Sequence, residues 1–155
     1  MTTIAELSRI DRSIDIAAPP ERVWRALTTR SELSAWFRVA IEGEIAAGSE
    51  VWMTSTLPEH GGMRFQVWFV ELTPPSRLVW EWHPGAIDPN LDYSREPRTQ
   101  VTFTLEPTTR GTRLSVAEAG FDAIALERRA KVYRDNSQGW SEVLVWLQTH
   151  VEKAG

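Results

Sequence analysis

The chain contains no cysteine. Disulfides, a thiol nucleophile and thiolate metal sites are therefore excluded. Its three histidines, His60, His83 and His150, stand at spacings that match no metal motif, so no metal is expected. There is no surplus of positive charge: 17 Lys and Arg stand against 21 Asp and Glu, a formal net charge of −4. A nucleic-acid partner would call for a basic footprint, so none is expected. No apolar run approaches membrane-spanning length, and no membrane insertion is expected. Residues 1–9 lack a basic stretch followed by an apolar run, so no signal peptide is read and a cytoplasmic location is the expectation. A nucleophile elbow, a phosphate loop and a dinucleotide fingerprint are all missing. No cofactor and no catalytic residue is assigned.

What the chain has in abundance is tryptophan, eight in 155 residues, in an otherwise ordinary composition of 42% hydrophobic and 25% charged residues. Each indole carries a large apolar area and an N–H that needs a partner. Eight exceed what a small core usually needs: either the core is simply rich in tryptophan, or several of them line a pocket.

The longest regular pattern lies at 122–151. Leu126, Ala130, Tyr133, Ser137, Trp140, Leu144, Leu147 and Val151 recur at steps of four and three, the stripe of one α-helix. Asp122 is its expected N-cap, and Phe121 and Leu126 are placed to staple its start. Such a helix runs roughly 40 Å, so a broad surface must lie against it. Tyr133, Ser137 and Trp140 interrupt the stripe with polar groups. The basic cluster Arg128, Arg129, Lys131 and Arg134 falls off the stripe and reads as a solvated face.

Upstream, Ile10, Ile14 and Ile16 share one face of a strand, with Arg12 on the same parity. Pro19-Pro20-Glu21 opens a first short helix, and Ser31 is the expected N-cap of a second that carries Leu33, Trp36 and Phe37. The pattern then turns to period two. Val39 and Ile41, Val51 and Met53, Met63 to Phe69, Leu78 to Trp82, Val101 to Leu105, and Leu114 with Val116 and Glu118 are successive strands. Residues 84–97 form the longest loop, either a lid with Tyr93 as its gate or an irregular surface segment. The run Asp88-Pro89-Asn90-Leu91-Asp92 departs from a calcium loop, with Tyr93 where glycine and Thr99 where glutamate is needed. Short turns between strands imply an antiparallel meander whose apolar face only the last helix can cover. The fold class is α+β: a curved antiparallel sheet of about six or seven strands wrapped around a long C-terminal helix, with two short helices after the first strand. Residues 1–155 are read as one domain with its core at 9–151.

Several local runs resemble one family. They are the strand-to-helix run at 14–27 with Ala18-Pro19-Pro20-Glu21 at its turn, Trp36-Phe37, the Pro-Pro hairpin and strand at 74–82, Gly111-Thr112-Arg113-Leu114, Gly120-Phe121, and Gly139-Trp140 with Leu144 and Leu147. Their order resembles the helix-grip fold of the START, or SRPBCC, superfamily, in the branch named after the activator of heat-shock-protein ATPase. The resemblance implies a deep apolar cavity between sheet and helix. Members of the superfamily include lipid carriers, hormone receptors, polyketide cyclases and co-chaperone domains.

By parity the concave face carries Phe65, Val67, Trp80, Trp82, Phe103 and Val116 among others, with Trp36 and Phe37 at the mouth and Tyr133, Ser137 and Trp140 opposite on the helix. With the first and last strands paired as in the resembled fold, Arg12 and Glu118 meet on the concave side. They form either a structural ion pair or a site where Glu118 accepts a hydrogen bond from a ligand. His83, on the opposite parity to Trp82, reads as surface. Trp52 and Trp68, with Val79, fall on the outer face and suggest an apolar patch for homodimer formation. The leading reading is binding of a small hydrophobic or aromatic molecule. The alternatives are a cyclase- or hydrolase-type enzyme in which Glu118, Tyr133 or Arg12 handles protons, and a co-chaperone or other protein-interaction module with a chaperone partner.

Overall fold

The computed structural model describes residues 8–86 and 90–154. In chain order the elements are β1 (Arg9–Ile16), α1 (Pro20–Thr28), α2 (Arg30–Phe37), β2 (Val39–Glu42), β3 (Glu50–Ser55), a 3-10 turn (Pro58–His60), β4 (Arg64–Thr73), β5 (Arg77–Trp82), β6 (Thr99–Thr108), β7 (Gly111–Ala119), a second 3-10 turn (Phe121–Ala123) and α3 (Leu126–Ala154). The strands form one seven-stranded antiparallel sheet in the order β1-β7-β6-β5-β4-β3-β2. The expected helix-grip architecture is therefore the observed one.

Alternation decides which face is buried. Val51 and Met53 of β3, Val67 and Phe69 of β4, Leu78 and Trp80 of β5, Val101 and Phe103 of β6, and Leu114 and Val116 of β7 form the concave side of the core. Trp140, Leu144, Leu147 and Val151 of α3 pack onto it, with Val23, Leu27, Leu33 and Trp36 of the short helices filling one end. A β-bulge between Phe69 and Glu71 leaves Val70 exposed and returns Leu72 to the concave side opposite Leu78. Without the bulge, strict alternation would have turned Leu72 outward.

The close approach of β1 and β7 depends on Gly111. Its φ is 151°, and a Cβ there would lie 2.3 Å from the Ile16 carbonyl oxygen and 2.7 Å from the Ala18 nitrogen. Only glycine fits.

β1 is an edge strand, and α3 covers that edge. Tyr133 Oη donates to the Arg9 carbonyl at 2.8 Å and Gln148 Nε2 to the Asp15 carbonyl at 2.8 Å, while the Ala17 N–H donates to Glu152 at 2.9 Å. Arg12 reaches the same helix, donating to Ser141 Oγ at 3.2 Å and to the Ser137 hydroxyl. Polar groups of an unpaired strand edge are thus satisfied by side chains.

Three local expectations are corrected. The last helix starts at Leu126, after the 3-10 turn in which Phe121 is fully buried, and Ile124 is buried just beyond that turn. Those two anchors rotate the first helical turns, so Leu126 and Ala130 face solvent while Arg129 and Val132 are buried. Leu126, 68% exposed, staples nothing. Thr29 stands at the N-cap of α2 in place of Ser31, and Arg38 is the C-cap that follows its last residue, Phe37. The basic cluster is only partly solvated. Arg129 donates to the Ile124 and Asp122 carbonyls that end the 3-10 turn, and Arg128 pairs with Glu96 at 2.6 Å.

Candidate functional site

β7 pairs Glu118 with Ile10 and Val101, and its alternation turns the carboxylate to the concave side, where it is completely buried. Arg12 lies two residues away in register, opposite Val116, and turns to α3, so the expected Arg12–Glu118 ion pair does not form. Neutral donors from three elements surround the carboxylate. Trp82 Nε1 of β5 donates at 2.8 Å, Thr99 Oγ1 of β6 at 2.6 Å, and Trp140 Nε1 of α3 at 2.8 Å. Asn136 Nδ2, one helical turn before Trp140, donates to both oxygens at 3.0 and 3.2 Å. A carboxylate is an acceptor with room for about four donors, and these four supply them. A buried acceptor so satisfied fixes the rotamers of its donors, because releasing any one leaves a polar group unpaired.

The consequence is a set of indoles held in place. Trp82 lies 5.9 Å from Trp140, 6.4 Å from Phe37 in a stacked arrangement, and 5.9 Å from Phe65 edge-on. Behind it Trp80 and Phe103 pack at 5.0 Å and continue the aromatic cluster into the core.

In front of this wall is an open cleft of about 620 Å³. Phe37, Phe65, Trp82, Trp140, Val143 and Trp146 provide its apolar walls, with Leu57 and Met63 from the loop before β4. Pro84, Gly85 and Ala86 border it from the long loop. The volume is in the range of small-molecule sites, which are mostly apolar with a few polar groups. Gly139 lies on the helix face of the cleft, with nothing within 4 Å of where a Cβ would be. A second hollow of about 550 Å³ lies on the convex face over Ser13, Thr102, Thr104 and Ser115, flanked by Arg9 and Arg77. It has no aromatic wall and no buried ionisable group, so the concave cleft is the candidate site.

Apolar area dominates the cleft, but polar side chains border it, among them Arg38, His60, His83 and the carboxylates of Glu59, Asp135 and Glu142. Arg38 sits in the left-handed backbone region, φ 59°, the one non-glycine residue at positive φ among those described. Its guanidinium carbon rests 4.0 Å above the Trp146 ring. His60 Nδ1 is 2.7 Å from Ser55 Oγ. His83 is half-buried at the rim, not a surface residue, packed edge-on against Trp68. Burial holds its pKa below the ordinary value, assisted by Arg98 and opposed by Glu96 and Asp92.

Of the residues expected at a site, Phe37, Phe65, Trp82 and Trp140 come together on the cleft. Val67, Trp80, Phe103 and Val116 lie buried in the core behind them. Trp36 is core as well, its indole donating to the Ala26 carbonyl at 2.7 Å. Glu118 lies behind the wall it organises. Tyr133 and Ser137 bind β1, and Tyr133 packs on Phe121 at 5.3 Å; neither borders the cleft. Arg38, His60, Asn136, Gly139, Val143 and Trp146 were not anticipated. The spacing of Gly139, Val143 and Trp146 marks a second helical face beside the core stripe, and that was the available signal.

The described ends of the long loop are anchored to α3. Arg128 donates to Glu96 and to the Pro84 and Gly85 carbonyls, and lies 4.9 Å over the Tyr93 ring. Tyr93 sits under Arg128 and is not among the residues that line the cleft. The calcium-like run at 88–92 begins outside the described residues. On the outer face Trp52 and Trp68 are each covered on one side by a guanidinium, Arg64 at 4.1 Å and Arg98 at 4.2 Å. Val79 is buried and adds nothing to a surface patch.

Among the described residues no helix is long and apolar enough to cross a membrane, and no group of acidic and histidine side chains is arranged to hold a metal ion. Residues 17–152 match the family described as Activator of Hsp90 ATPase homolog 1-like protein. No curated protein matches the chain. Among solved structures, a protein of Mesorhizobium loti is 24% identical, with a TM-score of 0.76 over 95% of this chain and 98% of that one. A protein of Nitrosomonas europaea is 21% identical, with a TM-score of 0.75 over 99% and 100%. One from Chromobacterium violaceum is 23% identical, with a TM-score of 0.72 over 94% and 98%. At these identities the likeness is one of fold.

Proposed function

Because the chain belongs to the Activator of Hsp90 ATPase homolog 1-like protein family, on a fold that often binds hydrophobic ligands, we propose that it binds a small hydrophobic or aromatic molecule in the concave cleft. The observation that carries this reading is the aromatic wall itself. Phe37, Phe65, Trp82 and Trp140 face about 620 Å³ of open space where a core of this size would close. The donors of Trp82, Trp140 and Asn136 are all committed to Glu118, so the wall presents ring faces and few hydrogen-bond donors. A ligand is then held by stacking and by removal of apolar surface from water.

Gly139 gives a direct test, because it lines the cleft and an added Cβ there would meet nothing within 4 Å. Gly139→Leu is expected to abolish the fluorescence enhancement of Nile red, a neutral apolar dye, while the protein stays folded. Val145→Leu, on an exposed position of the same helix, is the control and leaves the enhancement intact. Equal enhancement in wild type and Gly139→Leu sinks the proposal.

A further inference from the structure

We infer that the cleft selects an amphipathic anion, a flat apolar body ending in a carboxylate, with Arg38 as the residue that reads the head group. The inference rests on the cleft reading above and adds the ligand's class.

Arg38 ends α2 at the position where a left-handed backbone terminates the helix, with its N–H donating to the Ser34 carbonyl. Helix termination alone selects glycine there, which adopts that φ freely. The chain instead places an arginine at the position and lays its guanidinium on Trp146, a wall residue of the cleft. That ring is the partner of the side chain among the described residues; no acid lies within ion-pair distance. A guanidinium resting on a ring face keeps its N–H donors free at its edge, in the fork geometry that matches a carboxylate. Strain at a non-glycine residue, an unpaired cation and a place at the cleft mouth coincide in one side chain.

The acids around the cleft do not fill that role. Asp135 is paired with Lys131 at 2.6 Å, and Glu142 accepts from Gln138 at 3.4 Å. Glu59 is exposed on the 3-10 turn before β4. Glu118 is closed off behind Trp82 and Trp140 by its four donors. An apolar body on the aromatic wall therefore meets one unpaired guanidinium, Arg38; the bordering carboxylates Glu59 and Glu142, which form no ion pair among the described residues, weaken its pull but supply no donor to a ligand carboxylate.

The test uses three probes that differ only in their head group: 1-pyrenebutyrate, 1-pyrenebutanol and 1-pyrenebutylammonium, titrated by fluorescence at pH 7 and low salt. The proteins are wild type, Arg38→Gln, Arg38→Gly and Gly139→Leu. Arg38→Gly relieves the left-handed backbone, so loss of fold does not confuse it. The butyrate should bind wild type about fivefold tighter than the butanol, the scale of one partly exposed charge pair. The ammonium should bind weakest. Both Arg38 variants should erase the butyrate's advantage over the butanol, the ratio being taken on each protein by itself. The inference about charge alone is overturned in any of three ways, provided Gly139→Leu still blocks the butanol: the butyrate has no advantage, its advantage survives both Arg38 variants, or the ammonium binds tightest. If no probe binds wild type, or Gly139→Leu leaves all three affinities unchanged, the cleft reading fails and takes this inference with it.

Discussion

Glu118→Gln isolates the chemistry of the buried carboxylate. The substitution keeps the size of the side chain and replaces one acceptor oxygen with an NH₂ donor. In the wild type one oxygen accepts from Trp82 and Thr99, the other from Trp140, and Asn136 reaches both. Thr99 can turn its hydroxyl to accept from the new amide, and Asn136 can turn over its own amide. The two indoles cannot, because an indole nitrogen is only a donor. Whichever way the glutamine lies, one indole N–H faces another N–H in a site closed to water. Leaving a buried donor unsatisfied costs about 1–3 kcal/mol. The amide is cheaper to bury than a carboxylate, which offsets part of that loss. A net loss of about 2 kcal/mol should lower the melting temperature by roughly 4–8 °C in a domain of this length. Thermal denaturation followed by far-UV circular dichroism measures the shift, and near-UV dichroism reports the displaced indole. Thr99→Val, which removes one donor and leaves the indoles paired, should cost less. A Glu118→Gln protein as stable as wild type, with an unchanged near-UV spectrum, would refute the claim that the carboxylate holds the wall in place.

Other consequences are open to the same measurements. Gly111→Ala puts a methyl group 2.3 Å from a backbone oxygen that cannot move aside cheaply, so it should cost at least about 2 kcal/mol in urea denaturation; a loss below 0.5 would mean the β1–β7 approach is soft. Gly139→Ala, in a helical backbone with open space around it, should stabilise by about 0.5–1 kcal/mol and raise the melting temperature; destabilisation would show that the cleft is already filled at that point. Burial pushes the Glu32 carboxyl up, but hydrogen bonds from His150 and Arg22 outweigh it and hold the pKa below its ordinary value. A depressed carboxyl contributes stability above its unfolded pKa that is lost as pH falls through the folded one. Stability should therefore drop on acidification below about pH 4.5, with a shallower slope in Glu32→Gln; identical slopes would count against the cluster.

The sheet was readable because alternation is a local property. Each strand from Val51 to Val116 carries its own period-two record of which face is buried, and the order of short turns fixes the meander. The β4 bulge escaped because one extra residue at Val70 looks like any other position in the strand. Parity put Glu118 on the concave side but could not name its partners. They come from β5, β6 and α3, 18 to 36 residues away in sequence. Arg12 shares that parity and took Ser137 and Ser141 in place of Glu118 because their registers differ by two residues. On α3 one stripe was visible, yet the helix has two working faces. The core face holds Trp140, Leu144 and Leu147, and the adjacent face holds Gly139, Val143 and Trp146. Gly139 stood out only beside Trp140 in the family-like run, and the structure places it on the helix face of the cleft. Arg128 and Arg129 resembled solvated charge because sequence does not show the carbonyls that await them.

The clasp between α3 and the edge of β1 also sets when the molecule can become whole. β1 emerges from the ribosome well before its partner strand, which begins at Gly111, and the side chains that close its outer edge extend to Glu152. Ladder contacts that span about a hundred residues make folding slow relative to synthesis of a local hairpin. Until residue 152 has cleared the exit tunnel, β1 is a bare template that can pair with a neighbouring nascent chain. Truncation within the last turns of α3 should therefore show itself first as aggregation during expression, before any loss of ligand affinity is seen in the protein that survives.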